Sequence, residues 1–217
     1  MTRRTRQQAP SITRERVHWD AGQVVAGIDE VGRGAWAGPV TVGAVILPTD
    51  RRVYKLRDSK MIAPTERERL AGRLRTAGAL VGIGHADNTE IDRVGMSAAM
   101  RLAANRALDA LPIQPEALLI DGKWDFLHDR GTTNELLVRG DARSASIAAA
   151  SIVAKVTRDA LMCAADHDHP AYAFVSNKGY PAPAHRHALH EHGPCVLHRH
   201  SWAPIAGLNQ PRLFDLA

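Results

Sequence analysis

Four carboxylates stand at places where a fold could use them chemically. Asp29 and Glu30 close the apolar stretch "VVAGI", Asp121 closes "EALLI" just before Gly122, and Asp141 lies in "VRGDARSAS" ahead of a long alanine-rich segment. Charged pairs seldom end a buried strand without a partner, and strand ends are where a rigid sheet presents side chains. Brought into one partly buried site, these groups would repel one another and raise one another's pKa. Cations relieve that repulsion, and hard carboxylate oxygens suit magnesium or manganese with water completing the shell. Two such ions about 3.5–4 Å apart are the apparatus of phosphodiester hydrolysis, one activating water and one stabilising the leaving oxygen. Single residues have plainer explanations: Asp121-Gly122 is a common turn pair, and Asp141 could be a helix N-cap. Neighbouring strand residues point to opposite faces, so Asp29 and Glu30 share a site only if the chain bends. Gly32 and Gly34 in "GRG" supply that bend and bring Glu30 round.

The elements that must position these groups follow from apolar patterning. Gln23 to Asp29 reads as a strand, and Pro39 to Leu47, apolar throughout, as a second one buried on both faces. The short spacer between them favours antiparallel neighbours. Ala63 to Gly78 carries helix signals, with Pro64 and Thr65 opening it and Gly78 stopping it. Ala79 to Asp87 is a third strand. Ser97 to Leu111 is an amphipathic helix with Met100, Ala104, Leu108 and Leu111 at helical spacing. Glu116 to Gly122 is a short strand ending in Asp121. Ser144 to Asp166 is a long helix whose alanines favour helix and let its backbone pack close to a sheet. Alternating strands and helices give an α/β layer architecture.

Composition narrows the partners. The chain has 217 residues, 45% of them hydrophobic, enough for one well-buried domain with a modest appendage. Its net charge of +5 favours a polyanionic partner. Cys163 and Cys195 fit no paired metal spacing and are expected to be reduced thiols in a cytoplasmic protein. No run of about 18 apolar residues occurs, so no membrane partner is expected. The division expected is a basic, partly disordered tail over 1–20, a catalytic domain over 21–170 and a C-terminal extension over 171–217.

Taken together, "GIDEVGRGAWAGPV", "LRDSKMIAPTERERL", "LLIDG", "RGDARSASIAAASIVAKVTRD" and "SNKGYPAPAHRHAL" with "HGPCVLHRHSWAPI" resemble the bacterial ribonuclease HII family, the type 2 ribonucleases H. The resemblance runs from about Val24 to Ile205. It implies an RNase H-like fold, a mixed central sheet flanked by helices with a small helical C-terminal extension. It implies cleavage of RNA in RNA–DNA hybrids and nicking on the 5′ side of a ribonucleotide embedded in duplex DNA, leaving a 3′-hydroxyl and a 5′-phosphate, in the service of ribonucleotide removal from DNA. By motif, Asp29, Glu30, Asp121 and Asp141 would hold two Mn2+ or Mg2+ ions, with Asp29 bridging them. Gly32, Arg33 and Gly34 would lie along the minor groove at the ribonucleotide, where glycine lets the backbone approach a 2′-hydroxyl. Tyr180 would stack on the neighbouring deoxynucleotide sugar. Lys60, Arg143, Ser144 and Lys178 are candidate phosphate contacts, whereas Lys155 and Arg158 read as a solvated helix face. The family suggests a monomer. Three places depart from its usual text: the pair Pro181-Ala182 after Tyr180, Arg143 for lysine, and Trp202 for phenylalanine.

Rival readings remain. His185, His187, His190, His192, His198 and His200 could suggest zinc, yet no cysteine lies at finger spacing and the His-Glu-x-x-His pattern is missing. Most of these rings are expected on a polar surface. A nucleic-acid-binding module without chemistry, or another nuclease of the same fold such as a junction resolvase, are the functional alternatives.

Overall fold

The computed structural model describes residues 9–50 and 62–208; Lys60 lies outside them. Five strands form one mixed sheet: β1 (Val25–Val31), β2 (Val40–Ile46), β3 (Leu80–Ala86), β4 (Ala117–Asp121) and β5 (Thr133–Leu137), in the order β3-β2-β1-β4-β5. The short turn after β1 makes β2 its antiparallel neighbour, and β3 continues antiparallel. On the other side β4 and β5 run parallel to β1, each reached by a crossover. All three strands foreseen between Gln23 and Asp87 form within a residue or two of their expected bounds, and so does β4.

Helices cover both faces. The even-numbered residues Ala26, Ile28, Val42, Ala44, Leu118 and Ile120 pack against Met100, Ala104 and Leu108 of α4 (Met96–Asp109), which follows α3 (Asn88–Val94). On the opposite face lies α5 (Ala145–Asp168), whose Ala149, Ile152 and Val153 meet Val45 and the leucines of α2 (Pro64–Thr76). Small residues allow this approach, as the alanines predicted. A Cβ at Gly27 would lie 2.1 Å from the Ser146 carbonyl carbon, and one at Gly43 2.6 Å from the Ala150 oxygen. Nothing but hydrogen fits between β1 and the first turns of α5.

Two ends of the chain close on this core. Within the stretch read as a tail, Thr13–Asp20 forms α1, whose Glu15 is fully buried. At the other end come the single turn α6 (Phe174–Asn177), α7 (Pro183–His192) and the short α8 (Ala203–Ala206). Phe174, Leu189 and Ile205 pack with Ala37 and Met162, so this segment lies on the loop after β1 and the last turns of α5.

Gly27→Ala is expected to cost about 3 kcal/mol, the upper part of the range for forcing atoms into a packed core. Urea unfolding measures it; an unchanged midpoint would show that β1 and α5 are not in the contact described.

Candidate active site

The parallel ladder between β1 and β4 ends at Ile28 and Ile120. Asp29 and Asp121 are the next residues, so both stand where the two strands part. Both have odd parity, the parity of Gly27, and therefore face α5. Glu30 faces the other way, and β1 stays regular through it, pairing Glu30 with Val42 and Val31 with Thr41. The chain turns at Gly32 with φ 88°, where the glycines predicted a bend, but that turn does not bring Glu30 round, because β1 is regular up to it. Glu30 reaches the same pocket because β4 has already ended beside it. That pocket, of about 330 Å³, is lined by Asp29, Glu30, Val31, Asp121, Ser151, Lys155 and Tyr180.

Its electrostatics are those of crowded negative charge. The Asp29 carboxyl is held well above the usual carboxylate range by burial first, then by the charges of Glu30 and Asp121 and more weakly of Asp141; a hydrogen bond with Ser151 opposes the shift. Asp29 Oδ1 accepts from the Glu30 N–H at 2.8 Å, and Asp121 Oδ1 accepts from the Gly140 N–H at 2.6 Å. The second bond ties Asp121 to the 3-10 turn Gly140–Ala142, which carries Asp141, buried to 8% exposure. The capping role that could have accounted for Asp141 belongs to Ser144, whose hydroxyl accepts from the Ile147 N–H at 3.2 Å. Among the described residues, no three His, Cys, Asp or Glu side chains are already drawn into a metal cage. The donor set nevertheless suits hard divalent ions: oxygen ligands only, one of them too desolvated to carry its charge comfortably among three others.

The other predicted positions divide. Gly32 is required by the fold, for its φ is positive and a Cβ would fall 2.1 Å from Arg158 Nε. Gly34 is exposed, with open space where a Cβ would go, and nothing among the described residues demands glycine there. Arg33 is exposed beside it. Tyr180 accepts from the Gly32 N–H at 3.1 Å, which joins the loop to the pocket wall. Arg143 is exposed. Lys178 folds its ammonium back onto the Val175 carbonyl. Ser144 is fully buried and donates to Glu15 at 2.6 Å, so it presents nothing to a phosphate.

Two arginines do what the sequence did not disclose. Arg158, expected on a solvated face, is fully buried. It donates to the carbonyls of Pro39 (2.8 Å), Lys178 (2.9 Å) and Ala37 (3.0 Å), and its guanidinium lies 5.3 Å from the Tyr180 ring centre. Arg199, equally buried, donates to Gly32 (2.6 Å), Arg33 (2.9 Å) and Gly38 (2.9 Å). Burial and then the charge of Arg158 push Arg199 down to about 9. Trp202, the residue that departs from the family text, packs 5.2 Å from the Arg199 guanidinium. Ser151, Lys155 and Arg158 fall at i, i+4 and i+7 along α5, a spacing that puts them on one face and could have revealed them.

Of the six clustered histidines, His187, His190, His192 and His200 are exposed as expected, while His185 and His198 are buried. They form a relay. The Cys195 N–H donates to His198 Nδ1 at 2.9 Å, the two Nε2 atoms lie 3.0 Å apart, and His185 Nδ1 lies 2.8 Å from the Tyr180 carbonyl. One proton between the Nε2 atoms satisfies both rings when both are neutral.

A model of the ribonuclease HII family matches residues 26–205, which includes every one of these pocket and loop positions. The chain belongs to the ribonuclease HII family. A ribonuclease HII of Streptomyces avermitilis is 47% identical over 190 residues, covering 88% of this chain and 81% of that protein. One of Thermus thermophilus is 45% identical, covering 87% and 90%. The ribonuclease H2 of Pyrococcus horikoshii superposes with a TM-score of 0.74 at 27% identity, over 85% of this chain and 96% of that one. The mixed sheet with helices on both faces is thus the RNase H-like fold, and the chain is a type 2 ribonuclease H, a hydrolase.

The histidine relay generates a pH dependence. Burial, with His185 beside it, pushes His198 down from 6.5 to about 4, and His185 is lowered too. The unfolded chain therefore binds protons that the folded one refuses. The stabilisation is complete above about pH 6.5 and is lost as pH falls towards 4. His198→Gln is expected to lose less melting temperature than the wild type between pH 7.5 and pH 5; equal losses in a thermal scan would contradict the relay.

Proposed function

We propose that this ribonuclease H hydrolyses the RNA strand of RNA–DNA hybrids and nicks on the 5′ side of single ribonucleotides embedded in duplex DNA, leaving a 3′-hydroxyl and a 5′-phosphate. The observation that carries the reading is the junction of two things in one wall: the pocket holding Asp29, Glu30 and Asp121, and the loop bonded to it through Tyr180 and Gly32. Asp29, Glu30, Asp121 and Asp141 would hold two Mn2+ or Mg2+ ions. When bound, such ions supply an activated water and a counter-charge for the leaving oxygen.

The chain's own residues do the rest. The exposed Gly34 lets the loop backbone approach a ribose 2′-hydroxyl, the group that distinguishes RNA from DNA. Arg33 offers a planar fork for phosphate, and Lys155, its ammonium paired with Asp159 at 2.8 Å, lines the pocket edge. The half-buried Tyr180 ring, with cationic groups of Arg158 and Lys155 within 6 Å, is a rigid platform for the next sugar. Arg143 and Lys178 lie outside this pocket lining, and contact with more distant phosphates is the role proposed for them. Carboxylates, loop and tyrosine all come from one chain, which supports a monomer as the acting unit. Removal of ribonucleotides from DNA is the role this chemistry serves.

A duplex with one internal ribonucleotide is expected to be nicked with manganese or magnesium and left intact with EDTA, while an all-DNA duplex survives. Cleavage of the all-DNA control at a comparable rate would favour a resolvase-like nuclease instead. Asp29→Asn is expected to reduce turnover at least 10³-fold while leaving hybrid binding largely intact, since it removes a charge that repels phosphate; near-normal turnover would refute the carboxylate assignment, and a module without chemistry would show no cleavage in either form. Tyr180→Ala is expected to slow nicking at single ribonucleotides by at least tenfold more than cutting of long hybrids. Equal slowing on both substrates would deny the tyrosine its role at the RNA–DNA junction.

A further inference from the structure

Glu15 is a buried carboxylate far from the pocket in sequence and outside the residues matched by the family model. Its Oε1 accepts from the Ser144 hydroxyl at 2.6 Å, the Ser146 hydroxyl at 2.7 Å and the Ser146 N–H at 2.8 Å. Oε2 is buried with no hydrogen-bond partner among the described residues. Desolvating a carboxylate costs several kcal/mol unless bonds offset it, and here one oxygen carries all of them. The placement at the N-terminus of the 24-residue α5 helps, because the helix dipole favours negative charge there. An apolar side chain could nonetheless have filled the volume more cheaply, so the acid's return must be in geometry.

The residues it grips, Ser144 and Ser146, closely follow the turn that carries Asp141. The Asp141 turn has two ends. Gly140 is bonded through its N–H to Asp121. Its carbonyl accepts from the N–H groups of Arg143 and Ser144, both at 2.8 Å, which closes the turn. Beyond the turn, the N-terminal arm takes over. Ser11 N–H donates to the Arg143 carbonyl at 3.3 Å, the Ser11 carbonyl accepts from Ala145 at 3.0 Å, and Glu15 grips Ser144 and Ser146. The turn also begins at a strained residue, Arg139, in the left-handed region at φ 58°, a conformation that persists only where the surroundings impose it. The arm holds one side of the turn and Asp121 the other, with Asp141 between them.

We propose that Glu15 is a positioning residue, acting through Ser144 and Ser146 on Asp141, so that α1 is a working part of the cation site and not an appendage. This rests on the reading of Asp141 as a metal ligand. The test is calorimetric titration of the full-length, substrate-free protein with MnCl2. Glu15→Leu, which keeps the volume and removes every acceptor, is expected to weaken Mn2+ binding by about tenfold, the low end for losing a residue that orients a ligand. Glu15→Gln, which keeps an acceptor oxygen, should restore most of it. In an Asp141→Asn background, Glu15→Leu should produce no additional weakening, because the residue through which it acts has been removed. Leu108→Ala, a core truncation on α4, should lower the melting temperature without moving Mn2+ affinity. If Glu15→Leu does not fold, Ser146→Ala, which deletes one of the three donors, carries the test with a smaller loss expected. Undiminished Mn2+ affinity in the Glu15 variant, or weakening that persists alongside Asp141→Asn, overturns the proposal while leaving the cation site standing. An Asp141→Asn protein that binds Mn2+ as the wild type does would instead remove Asp141 from the ligand set, and the inference with it.

Discussion

The structure is organised around a concentration of negative charge, two of whose four members, Asp29 and Asp141, are buried. Asp29 sits at the end of a central strand, buried, with the charges of Glu30, Asp121 and Asp141 all pressing on it. A protein rarely tolerates such crowding without a use for it, since each group's ionisation makes the next more costly. The sheet topology makes the crowding possible. Of adjacent strands, only a parallel pair brings two C-terminal ends to the same edge, and β1 and β4 are such a pair at the centre of the sheet. The close seat of α5 against Gly27 and Gly43 then roofs one side of the opening and delivers Ser151 and Lys155 to it.

Opposite charge nearby is engaged elsewhere: the Lys155 ammonium at the pocket edge is paired with Asp159 at 2.8 Å. Arg158 and Arg199 are buried against backbone carbonyls, so their fixed charges lie beneath the loop that follows β1 and not on the carboxylates. That separation matters. A guanidinium bonded directly to Asp29 or Asp121 would neutralise the pocket and leave it nothing to attract cations with. Held back among carbonyls, the two arginines give the loop its shape while the pocket keeps its field.

Much of this was legible in the chain itself. Strands whose apolar runs end in Asp or Asp-Glu announced both the core and the site, and the alanine-rich text of α5 announced a helix pressed on a sheet. What escaped did so for identifiable reasons. β5 reads "TNELL", an edge strand with polar residues where water reaches it, and so lacks the apolar signal of its neighbours. α3 opens with a capping box at Asp87 and Glu90, visible in principle but hidden by reading Asp87 as the end of a strand. α1 is polar along most of its length, and only tertiary contact turns Glu15 into an interior residue. Arg158 failed the same way: charge in a sequence suggests solvent, and the carbonyls that receive it come from segments far away in the text. That Glu30 needed a bend to join Asp29 was an error of a different kind, since alternation alone cannot say where a neighbouring strand stops.

The two glycines flanking Arg33 are guarded by different forces. At position 32 any side chain would have to evict Arg158 and adopt a backbone conformation it resists, so folding itself forbids the change. At position 34 a methyl group would project into open space, meeting none of the described residues. If position 34 is kept for a nucleic-acid backbone, as proposed, a lineage that ceased to meet one would still be held to the first glycine and would be at liberty to lose the second.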